Sequence, residues 1–198
     1  GVMVNASDAV AFKMADHLLL SEQYSTLIEQ LQIAAWHEVE DDDEFVTELL
    51  DNLSAESEAN KPAHVLLPDL DKIQQACRGD SIEHIVAQIH ALNGDEKWLS
   101  TAPNNLATGS PISAHLCFRQ MTEYKHLSLA DCFRLELNAS VRCGLLGEFQ
   151  EGVRARLIEK DGSPKWKFAH VKEVDSDLID QMFSSLWDEH PLAQLGHY

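Results

Sequence analysis

Apolar residues recur at three- and four-residue spacing along nearly the whole chain. The runs that carry this spacing are cut apart by Lys61-Pro62, Arg78-Gly79-Asp80, Asn93-Gly94-Asp95 and Ala107-Thr108-Gly109-Ser110-Pro111. That periodicity lays one apolar stripe along a helix, and Pro or Gly ends the stripe. It predicts helices over 6–12, 23–36, 44–53, 69–77, 81–91, 95–99, 112–122, 128–146, 148–157 and 176–187. Strand signals are confined to His17-Leu18-Leu19-Leu20 and Val65-Leu66-Leu67. The expected class is mainly α, with at most one or two short strands, no internal repeat and no low-complexity tract.

Local chemistry fixes several helix starts. Asn5 or Ser7 caps the first helix, and Ser81 precedes Ile82, whose apolar partners recur at Ile85, Val86 and Ile89. Ser110 precedes Pro111, whose fixed φ and missing N–H suit the first helical position. The acidic run Glu38–Glu44 lacks the glycine and the alternating ligand order of a calcium loop. It reads as a solvated helix start, acids being favoured at a helix N-terminus.

Charge narrows the function classes. The chain has 33 acidic and 15 basic residues among 198, a formal charge of −18. Residues 1–60 hold 14 acids and one base, Lys13. Such a surface repels phosphodiester backbones, so nucleic acid is not an expected partner. No apolar run approaches the roughly 20 residues that cross a bilayer, so a membrane is not expected either. Cys77, Cys117, Cys132 and Cys143 show no CxxC or HxxxH spacing, and free thiols in a reducing compartment are expected rather than disulfides or zinc. Residue 1 is Gly, so the chain is expected to be processed, cut, or preceded by further sequence.

No local signature of a reactive site is present: there is no GxSxG, no GxGxxG and no P-loop. His115 and Cys117 are two apart and fall on different faces of a helix, leaving His115 a surface or core-edge histidine. His84 and His90 are six apart, off helical register for a metal pair. Cys132 and Cys143 lie on a long helix where buried thiols are common. One stretch reverses the acidic trend. Residues 142–172 hold Arg142, Arg154, Arg156, Lys160, Lys165, Lys167 and Lys172 against Glu148, Glu151, Glu159 and Asp161, a net of +3. It fits either a solvated face or a site for an anionic small ligand. Trp166, between two lysines, fits either a stacking surface for a purine or an apolar anchor.

The wording of that stretch carries a resemblance. Phe149-Gln150-Glu151-Gly152-Val153-Arg154-Ala155, followed by Leu157-Ile158-Glu159-Lys160-Asp161-Gly162-Ser163-Pro164-Lys165-Trp166, resembles the C-terminal signature of the 3-hydroxyisobutyryl-CoA hydrolases. These are a branch of the enoyl-CoA hydratase/isomerase (crotonase) superfamily. Asn5-Ala6-Ser7-Asp8-Ala9 with Ala15-Asp16-His17, Ser110-Pro111-Ile112-Ser113 and His190-Pro191-Leu192 agree with it. The resemblance implies that 1–20 end the crotonase core as a helix plus short strand. It makes 21–105 a helical insertion and 106–198 the C-terminal helical region of a crotonase-like α/β fold. Members usually carry Gly-Leu before the Ala-Asp/Thr-His stretch, where this chain has Lys13-Met14, so Lys13 must accept a left-handed conformation or the turn must differ.

Further implications follow from the resemblance alone. The parent would be a CoA-thioester hydrolase of valine catabolism whose oxyanion-hole amides and catalytic carboxylates lie in a preceding half. No catalytic residue and no metal is therefore assigned here, and the chain is expected to be inactive alone while covering the acyl and CoA pocket and making subunit contacts. Coenzyme A enters as part of the substrate, with no separate cofactor. Arg154, Lys160, Lys165 and Lys167 are the candidates to face its phosphates, while Glu151 and Gly152 read as structural. Expected partners are an acyl-CoA, the preceding half and further copies of the protein. The setting implied is the cytoplasm in a bacterium or the mitochondrial matrix in a eukaryote. A hydratase or isomerase of the same superfamily and a non-catalytic helical interaction domain are the alternatives.

Overall fold

The computed structural model describes residues 1–196, which divide into two compact units, one of residues 2–74 and one of residues 75–196 with Gly1. The chain is mainly α, and no strand occurs among the described residues. No helix among them is long and apolar enough to cross a membrane.

In the first unit, α1 (Ala6–Ala11) starts on the side chain of Asn5, which accepts from the Asp8 N–H at 2.9 Å. Its end resolves the question raised by Lys13. That residue sits at φ 57°, its N–H bonds Val10 O at 3.0 Å, and the Met14 N–H bonds Ala9 O at 2.8 Å. The paired bonds make a left-handed helix stop of the kind glycine serves, here occupied by an exposed lysine. The strained backbone disfavours a residue with a Cβ by roughly 1–2 kcal/mol. Lys13→Gly is accordingly expected to stabilise this unit by about 0.5–1 kcal/mol after glycine's greater unfolded-state entropy is subtracted. A thermal midpoint that stays put or falls would show that Lys13 is unstrained.

Two further helices, α2 (Gln23–Ile33) and α3 (Asp42–Ser57), complete most of this unit. The start of α3 carries the acidic run as expected, with Asp41 accepting from Asp43 N at 2.9 Å and Glu44 N at 3.0 Å. Neither sequence-predicted strand forms. Leu18 N donates to Ser54 Oγ at 3.4 Å and Leu20 N to Gln23 Oε1 at 2.8 Å. The N–H groups of Val65, Leu66 and Leu67 all go to the carboxylate of Asp8, at 3.0, 3.0 and 3.1 Å. Side chains thus take the donors that a β-ladder would need.

After α4 (Leu70–Ala76), the second unit is built from α5 (Ile82–His90), α6 (Lys97–Thr108), α7 (Pro111–Thr122), α8 (Leu129–Leu146), α9 (Glu148–Val153) and α10 (Ser176–Phe183). Ser81 and Ser110 cap as expected, accepting from His84 N and Ser113 N at 3.2 Å each. Its core joins Ile112 and Leu116 of α7, Ala139 of α8, Val174, and Ile179, Met182 and Phe183 of α10. The 95–99 segment is longer than its periodicity suggests, because α6 passes through Pro103. That proline deprives the Leu99 carbonyl of a donor, while burial of Trp98 and Leu99 holds the first turn in place. Conversely, α10 stops at Phe183, short of 187.

Candidate functional site

The basic stretch begins where α8 ends. Gly147 turns the chain at φ 89° and launches α9, which passes into a π-turn over Arg154–Ile158 closed by the Glu159 N–H on Arg154 O at 2.8 Å. The wider turn brings 159–163 back beneath Arg154, whose guanidinium gathers them. Its Nε and Nη2 donate to Glu151 Oε2 and Oε1 at 2.8 and 2.7 Å, its Nη1 to Glu159 Oε2 at 2.5 Å and Asp161 Oδ2 at 2.7 Å, and Nη2 again to Ser163 O at 3.2 Å.

An arginine has five N–H donors, and all five are spent inside the protein. Arg154 organises the loop and keeps none for a phosphate, which differs from its place among the sequence-predicted phosphate contacts. The same pairing holds the Glu151 carboxyl down to about 2, chiefly through Arg154 and then through the N–H of Lys165. Asp161 is likewise lowered by Arg154 and by the N–H of Ser163.

The lysines are disposed differently. Lys160 occupies a left-handed turn at φ 56°, with an exposed side chain. The N–H of Lys165 donates to Glu151 Oε1 at 2.5 Å and that of Lys167 to Glu148 Oε1 at 2.9 Å. Two carboxylates three residues apart on α9 therefore hold alternate amides of the following loop. Between them Trp166 turns inward. Its Nε1 donates to Thr108 O at 2.9 Å, and a Cβ on Gly152 would lie 3.3 Å from its ring. Trp166 is thus an anchor, and Gly152 permits the close approach that its place in the sequence suggested. With Trp166 turned in, Lys165 and Lys167 are both exposed.

Glu148 is itself buried at 7% exposure, and its other oxygen accepts from Ser110 Oγ at 2.5 Å. That bond ties the start of α9 to the cap of α7. Beside this arrangement lies an open groove of about 410 Å³, walled by Ala107–Gly109 and by Gly162–Trp166 with Phe168 and Ala169. Lys165 lines it. A neighbouring hollow of about 490 Å³ shares Ala107, Gly109 and Ala169, has a mostly apolar floor that includes Val86 and Pro111, and carries Lys172, His90 and His170 at its margin. Neither Lys160 nor Lys167 lines these hollows, although Lys167 stands two residues from Lys165.

The second hollow also has Glu83 in its lining, with His90 and His170. His115 Nε2 pairs with Val171 O at 2.9 Å, as befits a core-edge residue. Burial, with a contribution from Glu148, pushes the Cys143 thiol up and away from thiolate character. All four cysteines are free, and no group of three potential ligands is placed to hold a metal among the described residues.

One more surface belongs to the same helices. Leu129, Phe133, Leu137, Val141, Leu145 and Phe149 form a row at four-residue intervals, and Leu129, Leu145 and Phe149 are 74%, 75% and 67% exposed. Each four-residue step drifts by about 40° around a helix, so these apolar side chains wind around α8, and Phe149 belongs to α9 beyond the turn at Gly147.

Residues 1–183 match the family described as enoyl-CoA hydratase/isomerase. Among curated proteins, the mitochondrial 3-hydroxyisobutyryl-CoA hydrolase of Danio rerio is 34% identical over 194 residues, covering 97% of this chain and 49% of its own length. That of Xenopus laevis is 32% identical over 188 residues, with 94% and 47% covered. A carnitinyl-CoA dehydratase from Mycobacterium thermoresistibile shares the fold, with a TM-score of 0.68 at 22% identity, over 96% of this chain and 50% of that one. The chain spans about half the length of the curated relatives it matches. It belongs to the enoyl-CoA hydratase/isomerase family.

Proposed function

We propose that this chain is the C-terminal flank of a CoA-thioester hydrolase of the 3-hydroxyisobutyryl-CoA hydrolase kind, contributing to the CoA-binding wall while the reacting groups belong to the other half of the family fold. The observation that carries this reading is the exposed pair Lys165 and Lys167 beside the groove at Thr108–Gly109, in a chain whose overall charge is −18. A lysine lining the cleft, with a second exposed lysine two residues along, suits the phosphates of coenzyme A, which pair with cations through charge-assisted hydrogen bonds. Lys160 is a further cation at the exposed turn preceding them. The exposed apolar side chains of Leu129, Phe133, Leu145 and Phe149 fit a surface that the other half, or a neighbouring subunit, covers.

On this reading the substrate supplies coenzyme A and no separate cofactor is needed. The acyl group would be the small branched hydroxyacyl group of valine catabolism, and the setting would be the mitochondrial matrix in a eukaryote or the cytoplasm in a bacterium.

Titrating the chain with coenzyme A at low salt, followed by amide chemical shifts, tests the contact. Resonances of 160–169 are expected to move, with apparent affinity falling about tenfold in Lys165→Ala/Lys167→Ala. Two exposed charge-assisted contacts contribute only on the order of 1–1.5 kcal/mol together after solvent screening. Raising the salt should erase the difference. Equal affinity of the variant and the wild type at low salt would remove the lysines from the CoA wall.

A further inference from the structure

We propose that Glu148 and Glu151 are positioning residues, a two-point clamp that holds Lys165 and Lys167 as a paired receptor for the phosphate oxygens of an anionic ligand. The inference rests on the reading of these lysines as CoA contacts and goes beyond it by naming what sets their geometry.

The argument runs through the backbone. The two carboxylates lie one helical turn apart on α9 and accept the N–H groups of residues two apart in the loop, at 2.9 Å for Glu148 with Lys167 and 2.5 Å for Glu151 with Lys165. The intervening side chain is turned inward, its indole donating to Thr108 O and its ring lying close to Gly152 of α9. Fixing alternate amides with the residue between them turned inward leaves the side chains of Lys165 and Lys167 both exposed.

Each clamp oxygen is supported in turn. Ser110 Oγ donates to the second oxygen of Glu148, and Arg154 engages both oxygens of Glu151. Ordering the loop before a ligand arrives removes part of the entropy that flexible lysines lose on binding. This arrangement also gives the five-fold engagement of Arg154 a purpose: it fixes the clamp rather than the ligand.

The proposal makes a prediction opposite in sign to simple electrostatics. A carboxylate near two lysines opposes anion binding, so removing its charge should tighten binding if charge were all that mattered. Glu148→Gln and Glu148→Ala both remove the charge, but only Gln keeps a carbonyl for the Lys167 N–H and a polar group for Ser110.

Coenzyme A is titrated into the chain and its variants at low salt, with folding checked by circular dichroism. Glu148→Gln is expected to bind within twofold of wild type. Glu148→Ala is expected to bind at least fivefold more weakly, and adding Lys167→Ala to it should bring no further loss. Binding by Glu148→Ala equal to or tighter than wild type, while Lys167→Ala alone is weakened, would overturn the clamp and leave the CoA reading standing. Undiminished binding by Lys165→Ala/Lys167→Ala would overturn the CoA reading and the clamp with it. If Glu148→Ala does not fold, amide hydrogen exchange in the wild type decides. Protection of the Lys165 and Lys167 amides supports the clamp, and exchange at the random-coil rate overturns it.

Discussion

Asp8→Ala is expected to destabilise the Val2–Gln74 unit by more than about 3 kcal/mol, since several donors lose one shared acceptor at a buried position. Asp8 is fully buried. Its Oδ2 accepts from the N–H groups of Val65 and Leu66, and its Oδ1 accepts from Leu67 N at 3.1 Å and lies 3.1 Å from His64 Nδ1. Alanine would leave these groups without their shared acceptor at a buried position. Asp8→Asn retains one acceptor and should fall between the two. Amide exchange at residues 65–67, measured against urea, reports the change locally. A loss under 1 kcal/mol would show that the loop finds other partners.

The same residue sets a pH dependence with a definite sign. Burial alone would raise the Asp8 carboxyl, but the N–H groups of Leu66, Val65 and Leu67, together with His64, outweigh it and hold the group below its ordinary value. A folded-state pKa below the unfolded value of about 3.9 means that the contribution is complete above roughly pH 5. It fades as pH falls below about 4 and through the folded pKa. Asp8→Asn should flatten this acid limb of the stability curve, and an unchanged limb would assign it to other carboxylates.

The parts of this protein that could be read from its sequence are those governed by neighbours along the chain. Serine caps at 81 and 110 and the acidic start of α3 act within a turn or two, and each appears where its residues point. The charge reversal over 142–172 likewise singled out the loop where Lys165 and Lys167 emerge. Features that depend on distant partners were not legible. Asp8 meets its donors 56 to 59 residues later, and no local rule distinguishes it from the other acids of the first sixty residues. Arg154 looked like a phosphate ligand because its charge was visible while its partners' geometry was not. The π-turn that places Glu159, Asp161 and Ser163 around it has no periodic signature. The helix expected over 95–99 falls short of α6, because burial of Trp98 and Leu99 holds a helix that continues through Pro103 to Thr108.

The largest functional contrast expected is between this chain and a longer polypeptide that includes the other half of the family fold. Hydrolysis of a CoA thioester needs fixed donors around the developing oxyanion, each well-placed one contributing roughly 3–4 kcal/mol, and a carboxylate that assists attack on the carbonyl. The hollows at Thr108–Pro111 have Lys165, Lys172, His90, His170 and Glu83 in their lining. On the proposed reading the oxyanion donors and the assisting carboxylate belong to the other half, so the flank alone is expected to leave the barrier essentially untouched. Supplying both halves should lower it by many kcal/mol.

Free-thiol release from 3-hydroxyisobutyryl-CoA, followed side by side for the 198-residue chain and for the longer polypeptide, is the most direct test. Turnover by the longer polypeptide with none above background from the chain is the predicted result. Sustained, saturable thiol release by the 198 residues alone would contradict the account.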